Sequence, residues 1–141
     1  MSRYDATQTN ESTRSSKVFK DLNLDFQQNT ATKDIQKLTD VEAVKRSVRN
    51  LISTNHYEKP FHPEIGSNLR AMLFENLTPQ MNHLISKQIE LLIKNYEPRV
   101  RLVQVNAQPS YDRNGYLATI SFYVLNHPEP VVVENFLERL R

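Results

Sequence analysis

The sequence contains no cysteine, no tryptophan and only two glycines, Gly66 and Gly115, among its 141 residues. Without cysteine the chain can form neither a disulfide framework nor a thiolate metal site. Nucleotide-binding loops need clustered glycines that let the backbone approach a phosphate. Two isolated glycines therefore exclude a P-loop and a dinucleotide-binding fingerprint. These absences lead us to expect no cofactor.

Long apolar runs and an excess of one charge are also missing. No stretch approaches the ~20 apolar residues that a membrane-spanning helix requires, and no apolar segment follows Arg3, as a signal peptide would need. The net charge is only +2, with 16 acidic residues interspersed among 18 basic ones. Nucleic-acid binders usually concentrate basic residues on one face. We therefore expect neither a membrane nor a nucleic acid as a partner.

Residues 1–30 differ in composition from the rest of the chain. They begin MSRYDATQTNESTRSSK, a stretch rich in Ser, Thr, Asn and charged residues with almost nothing to bury. Such a segment cannot offset the entropy cost of its own ordering, so we expect a flexible polar arm. Its last apolar residues, from Val18 to Phe26, either pack on the domain or dock on a partner. Residues 31–141 are expected to form a single domain, because a chain of this length suffices for one.

The spacing of apolar residues predicts two to three helices in the first half of the domain. Thr39 and Glu42 have the spacing of a capping box at the start of the first helix. A short second helix follows an irregular loop that is rich in proline. The third and longest helix is predicted to begin with Thr78 as its N-cap and Pro79 at its first position.

After Pro98 the apolar pattern changes from helical to alternating, which predicts strands. Asn114 and Gly115 give a strong hairpin signal between two of them. Residues 131–141 fit a helix or a strand, and we expect a third strand because they follow a hairpin. The predicted fold class is α+β: two to three N-terminal helices packed on a small β-sheet built from a C-terminal hairpin and a final strand, with a disordered or extended N-terminal arm.

No group of reactive side chains points to a metal site. The candidate ligands are the loop residues His56, Glu58, His62 and Glu64. They stand close enough in sequence to converge on an ion, but loop residues of this kind are usually solvated. We expect no metal site.

Paired carboxylates raise the possibility of a glycosidase. Glu97, Asp112 and Glu75 are its candidate acids. Arg99 lies two residues from Glu97 and should lower its pKa, which suits an ionised carboxylate and not a general acid. No apolar surroundings in the sequence would raise the pKa of another acid. We therefore expect no catalytic residues, and glycosidase activity stays as the alternative.

The segment NYEPRVR places two opposite charges around a proline at the end of the longest predicted helix. Pro98 cannot continue a helix and Arg99 favourably neighbours its dipole, so helix termination alone can explain both residues. Alternatively, Pro98 stiffens a corner from which Glu97 and Arg99 point outward in a fixed geometry. A rigid pair of charges suits a partner-binding role, because little side-chain freedom is lost on docking.

The stretch KPFHPEIGSNLRAMLFENLTP, followed by a helix ending NYEPRV, resembles the baseplate wedge and sheath-initiator family of contractile phage tails. This family is often labelled lysozyme-like, and it has relatives in type VI secretion baseplates. The resemblance covers residues 44–125. It implies a non-enzymatic structural protein of the virion tail baseplate, assembled in the host cytoplasm. The alternative function is that of a peptidoglycan-degrading muramidase.

The resemblance also implies partners. The corner formed by Glu97, Pro98 and Arg99 would contact the helical core bundle of the wedge proteins. The sheet would template the first ring of sheath subunits by strand sharing, next to the tail tube, with six copies around the tail. An exposed sheet edge is a row of unpaired N–H and C=O groups, so it can accept a strand from another chain.

Overall fold

The computed structural model describes residues 19–139. In chain order its elements are β1 (Lys20–Leu22), β2 (Lys37–Thr39), α1 (Asp40–Ser53), α2 (Leu69–Met72), α3 (Pro79–Tyr96), β3 (Val100–Ser110), β4 (Gly115–Val124) and β5 (Pro130–Glu138). The α+β prediction is confirmed, including the third strand, because the helices precede a three-stranded antiparallel sheet with the order β3-β4-β5. Within the described residues, none of the helices combines the length and apolar character needed to span a bilayer.

Helices α1 and α3 bury one apolar stripe each, as their spacing predicts. The buried residues of the two stripes are Val44, Val48 and Ile52 in α1, and Ile85, Ile89, Leu92 and Ile93 in α3. At the start of α3, the Thr78 hydroxyl accepts a hydrogen bond from the Met81 N–H at 3.3 Å, which confirms the predicted N-cap. Burying one such side chain stabilises the fold by about 2 kcal/mol, so these stripes fix α3 against the sheet and α1 against α3.

The start of α1 departs from the prediction. Thr39 is the N-cap residue but its side chain makes no capping hydrogen bond, so the predicted capping box with Glu42 is wrong. The next residue, Asp40, instead accepts a hydrogen bond from the Phe19 N–H at 3.2 Å. The Asp40 N–H in turn donates to the Phe19 carbonyl at 2.7 Å, so a segment far upstream in the sequence binds the first residue of α1.

The inner face of β4 is the centre of the core. It presents a row of fully or almost fully buried side chains: Tyr116, Ala118, Ile120, Phe122 and Val124. In β3 the register shifts between Leu102 and Gln104, so Val103 is a bulge and stays exposed. Because of the extra residue, even-numbered residues of β3 face the core before the bulge and odd-numbered residues face it afterwards. Val105 and Ala107 thereby pair with inward-facing Ile120 and Ala118.

Residues 19–39, here called the strap, were not predicted to contain strands. Strands β1 and β2 pair antiparallel, with Lys20 opposite Thr39. The connecting loop is joined to α1 by Asp25, whose carboxylate receives hydrogen bonds of 2.6 and 3.0 Å from Arg46. Part of the predicted arm, residues 1–18, lies outside the described residues. The division of the chain at residue 30 stays a prediction.

Candidate functional site

The corner of Glu97, Pro98 and Arg99 joins α3 to β3. The Glu97 N–H still donates to the Ile93 carbonyl at 2.9 Å, and Pro98, which has no N–H, ends the helix. The Glu97 carbonyl then accepts from the Val100 N–H at 3.2 Å. On the other side, the Arg99 carbonyl accepts from the Leu125 N–H at 3.0 Å. The backbone of the corner is thus held by the helix and by the sheet.

The side chains of the corner form a bidentate ion pair. Arg99 donates from Nε to Glu97 Oε1 and from Nη2 to Glu97 Oε2, both at 2.6 Å. Ser47 of α1 donates from its hydroxyl to the same Oε2 at 2.6 Å. Two parallel hydrogen bonds to a carboxylate fix the guanidinium plane as well as its position. These hydrogen bonds hold the Glu97 and Arg99 side chains in one geometry.

The orientation of the corner differs from the prediction. Glu97 is only 3% exposed, because its carboxylate points inward to Ser47 and Arg99. The expectation that Glu97 points outward is wrong, since a buried carboxylate must be paired with donors of its own chain. Pro98 is exposed, and the Arg99 side chain is 29% exposed. A role for the three residues in partner binding stays a prediction.

The electrostatics of Glu97 agree with an ionised carboxylate. Burial raises the pKa of Glu97, but the hydrogen bonds from Arg99 and Ser47 lower it by more, so its pKa lies below the ordinary value. A general acid needs the opposite shift, so that it carries a proton at neutral pH.

The other candidate acids lie far from Glu97. Asp112 lies in the turn between β3 and β4, and Glu75 lies between α2 and α3. Both are therefore near the start of α3, whereas Glu97 follows its last residue, about 27 Å away at 1.5 Å per residue. The two carboxyl groups of a glycosidase stand about 5–10 Å apart. The arrangement cannot perform that reaction through Glu97 with either acid.

The four candidate metal ligands do not form one group, and their side chains make separate contacts. Glu58 accepts hydrogen bonds from the N–H and side chain of Asn55 at 2.8 and 2.7 Å, while His62 Nδ1 lies 3.2 Å from Glu64 Oε1. Among residues 19–139, no three histidine, aspartate or glutamate side chains are grouped to hold a metal ion.

Sequence reasoning missed two residues at the corner, Ser47 and Phe19. The Arg99 guanidinium lies 5.5 Å from the centroid of the Phe19 ring, and this cation–π contact covers one face of the ion pair. Phe19 thus packs on the domain, one of the two outcomes considered for the apolar residues of the arm. Ser47 is separated from Glu97 by 50 positions. No local pattern in the sequence could have connected them.

The two borders of the sheet differ in accessibility. On β3, the Ala107 N–H donates to the Ser86 hydroxyl of α3 at 3.0 Å, and Pro109 has no N–H to offer. The bulge at Val103 interrupts the same border. Bulges, prolines and covering helices are the features that block addition of a further strand.

On β5, the outer border has no strand partner within the described part of the chain. A groove runs beside its second half, with Ser53 on its rim and the apolar side chains of Ile52, Leu69 and Leu73 in its lining. The sheet therefore has one blocked and one open border.

Comparison with known proteins identifies the family of this chain. Residues 38–129 match the family model described as baseplate wedge protein gp25. The baseplate wedge protein gp25 of Enterobacteria phage T4 is 34% identical over 99 residues, which are 70% of this chain and 75% of that protein. The family match spans all three helices and the strands β3 and β4, and it ends just before β5.

Solved structures share the fold. A chain in the six-fold symmetrised baseplate of the anti-feeding prophage is 26% identical, with a TM-score of 0.68 over 79% of this chain and 90% of that one. A putative tail lysozyme from Geobacter sulfurreducens is 23% identical, with a TM-score of 0.59 over 69% of this chain and 90% of that one. The second likeness shows the fold alone. The chain thus belongs to the gp25 family of baseplate wedge proteins and is a structural component of a contractile-tail baseplate.

Proposed function

We propose that the chain joins the wedge to the sheath, and that it templates the first sheath ring by accepting a strand from a sheath subunit at β5. The open border of β5 is the observation that carries this proposal, because β3 is blocked by Ser86, Pro109 and the bulge. An added strand at β5 would gain main-chain hydrogen bonds. Its side chains would fill the groove beside the second half of β5, which Ser53 and Phe136 also line.

The corner supplies the second contact, toward the helical core bundle of the wedge proteins. A partner would reach Pro98 and the exposed part of Arg99, while Glu97 holds Arg99 in place from within. Glu97 then acts as a positioning residue for the contact. Because Glu97 and Ser47 already fix the guanidinium, little further freedom is lost when it binds a carboxylate or a helix C-terminus.

Six copies around the tail, next to the tail tube, fit this function. The anti-feeding prophage baseplate that contains a chain of this fold is six-fold symmetrised. Repetition of one contact around a ring increases the avidity of modest single contacts. The proposed role is structural and not enzymatic. Its support is the family's description as a baseplate wedge protein and the ionised, inward-facing Glu97.

Ser53→Trp tests strand addition. Ser53 is exposed at the end of α1 and lines the groove, so an indole there fills the path of an incoming strand without touching the pairing of β4 with β5. Baseplates that contain this variant should carry a tube and no sheath in electron micrographs. The matched control is Gln80→Trp, an exposed position in the first turn of α3. Normal sheaths on the Ser53→Trp particles would refute strand addition at β5.

A further inference from the structure

The strap covers one side of the Arg99 guanidinium. Phe19, its first residue, places the centroid of its ring 5.5 Å from the central carbon of that group. The pKa of Arg99 is raised first of all by its hydrogen bonds to Glu97, and the negative charge of Asp21 in β1 adds to the rise. An aromatic face and a carboxylate are the groups to which proteins ordinarily bind a guanidinium. The strap therefore offers Arg99 the same chemistry as an external partner would.

The position of Arg99 does not depend on the strap. Its guanidinium is held by two hydrogen bonds of 2.6 Å to Glu97, and the Ser47 hydroxyl donates to the same carboxylate at 2.6 Å. Two parallel hydrogen bonds set both the place and the plane of the group. Ser47, Glu97 and Arg99 all lie outside residues 19–39. Phe19 and Asp21 are therefore not needed to orient Arg99, and with the strap in place only 29% of the Arg99 side chain is exposed.

The strap is held to the domain by mostly polar contacts. The Phe19 N–H donates to Asp40 Oδ1 at 3.2 Å, and the Asp40 N–H donates to the Phe19 carbonyl at 2.7 Å. Further along, Asp25 and Arg46 form an ion pair whose side chains are 56% and 22% exposed. Three large apolar side chains of the strap stay about half exposed or more: Leu22, Leu24 and Phe26. Opening of the strap thus exposes little further apolar area, so it costs much less free energy than unfolding of the domain.

We propose that the strap is a reversible cover of the corner, so that a wedge protein has to displace Phe19 and Asp21 before it can bind Arg99. This role rests on the wedge contact proposed above. Strap and partner compete for the same side of one guanidinium, and only molecules with an open strap can bind. The apparent affinity is then reduced by the fraction of molecules that are open. The cover thereby excludes incidental carboxylates and admits a partner whose wider contacts outweigh those of the strap.

A disulfide across the strap tests the proposal, because the chain has no cysteine of its own. Lys20 and Thr39 lie opposite each other in β1 and β2, and both are exposed. The backbone hydrogen bond between Phe19 and Asp40 makes the neighbouring pair, Lys20 and Thr39, a non-hydrogen-bonded one, with about 4.5 Å between the Cα atoms. That distance lies within the range of a disulfide. Lys20→Cys combined with Thr39→Cys therefore ties Phe19 to the start of α1 once the protein is oxidised.

The oxidised and reduced forms of this double variant should bind the wedge proteins differently. The probe is the purified helical core bundle of the wedge proteins from the same particle, titrated with the full chain in each form. Oxidation keeps the cover closed and should weaken binding by about tenfold or more, and reduction should restore it. A strap that only positions Arg99 would instead help the partner when it is fixed. Equal affinities of the two forms, or tighter binding of the oxidised form, would overturn the proposal.

Asp25→Asn tests the opposite change, since it weakens the attachment to Arg46 and removes no contact of Arg99. Hydrogen exchange at Lys20–Leu22 and affinity for the core bundle should increase by the same factor, about two- to fivefold, because both follow the fraction of molecules that are open. The control Asp34→Asn, whose carboxylate bonds only to the next N–H, should change neither. Faster exchange with unchanged affinity would contradict the cover.

Arg99→Lys separates a failure of the cover from a failure of the proposed wedge contact. Lysine keeps the charge but cannot bind a partner through two parallel N–H groups, so affinity for the core bundle should fall by about tenfold or more. An unchanged affinity would refute the wedge contact at the corner, and the cover with it. A loss with Arg99→Lys, together with equal affinities of the oxidised and reduced double variant, would refute the cover alone.

Discussion

The carboxylate of Glu97 accepts three hydrogen bonds of 2.6 Å while only 3% of the residue is exposed. A buried charge is tolerated only when it is paired, and here Arg99 pairs with Glu97 while the Ser47 hydroxyl links the same carboxylate to α1. The same residues therefore stabilise the chain and shape the surface that Pro98 and Arg99 offer. Any substitution at the corner has to be assessed for stability before its effect on assembly is interpreted.

Arg99→Ala should lower the free energy of unfolding by about 2 kcal/mol at pH 7, because it leaves the Glu97 carboxylate buried with Ser47 as its remaining side-chain donor. The pKa of Glu97 is lowered in the folded chain, so its contribution is present above the ordinary pKa and is lost as the pH falls through the lowered value. In Arg99→Ala, no guanidinium remains to lower the pKa of Glu97. The difference between the two proteins should therefore shrink as the pH falls below about 4.

Urea unfolding at pH 7 and at pH 3.5 measures this difference. Arg101→Ala is the control, since Arg101 is exposed on β3 and makes no ion pair within residues 19–139. It should change stability little at either pH. A loss on Arg99→Ala that is equally large at both pH values would mean that its packing on Phe19, and not its charge, stabilises the corner.

The three residues of the corner could be selected from the sequence, but their orientation could not. Pro98 marks the helix end and the flanking charges are visible in the sequence. Whether a carboxylate points inward depends on a donor on another element, and Ser47 comes from α1. Nothing in the sequence indicated, either, that the Phe61 side chain is 98% exposed. An apolar residue in a loop is ordinarily expected to pack on the domain.

Among the elements, the two long helices begin with a threonine N-cap, and the two threonines act differently. The Thr78 hydroxyl accepts from the Met81 N–H, whereas the Thr39 hydroxyl makes no capping bond. Thr78→Ala should therefore lower the free energy of unfolding by about 1 kcal/mol, and Thr39→Ala by less than about 0.5 kcal/mol. Thermal or urea unfolding of the two variants measures the loss of stability in each. Equal losses would show that the preference lies in the backbone conformation of threonine and not in the hydroxyl.

Helix α3 and strand β4 were predictable because their apolar periods run over 18 and 10 residues. Residues 131–141 fit both periods, so β5 could be expected as a strand only because it follows a hairpin. The strands β1 and β2 have three residues each and no apolar face, so periodicity could not reveal them. The bulge at Val103 was also missed. Its one trace in the sequence is that the alternation of apolar and polar residues shifts by one position within β3.

For the molecule as a whole, most of the strap lies outside the residues that the family model matches. The family match begins at residue 38, whereas the strap begins at Phe19, covers Arg99 and is joined to α1 by Asp25. It contributes few buried apolar side chains. The strap should therefore open without unfolding of the core.

Asp25→Asn removes the charge of the ion pair with Arg46, a pair whose side chains are 56% and 22% exposed. Such a surface pair contributes at most about 1 kcal/mol. Hydrogen exchange at Lys20–Leu22 and Lys37–Thr39 should accelerate while the melting temperature stays within about 2 °C. The control is Asp34→Asn, whose carboxylate bonds only to the next N–H. A large drop in melting temperature would show that the strap belongs to the cooperative core.

The contrast between the borders of the sheet has a consequence for free copies of the chain. A molecule whose sheet has an unpaired edge strand on both borders can add further copies at each border and grow into a cross-β fibril. Here Ser86, Pro109 and Val103 close one side. If copies paired through the sheet, the assembly would stop at a dimer in which two β5 strands face each other, because β3 offers no second side for further growth.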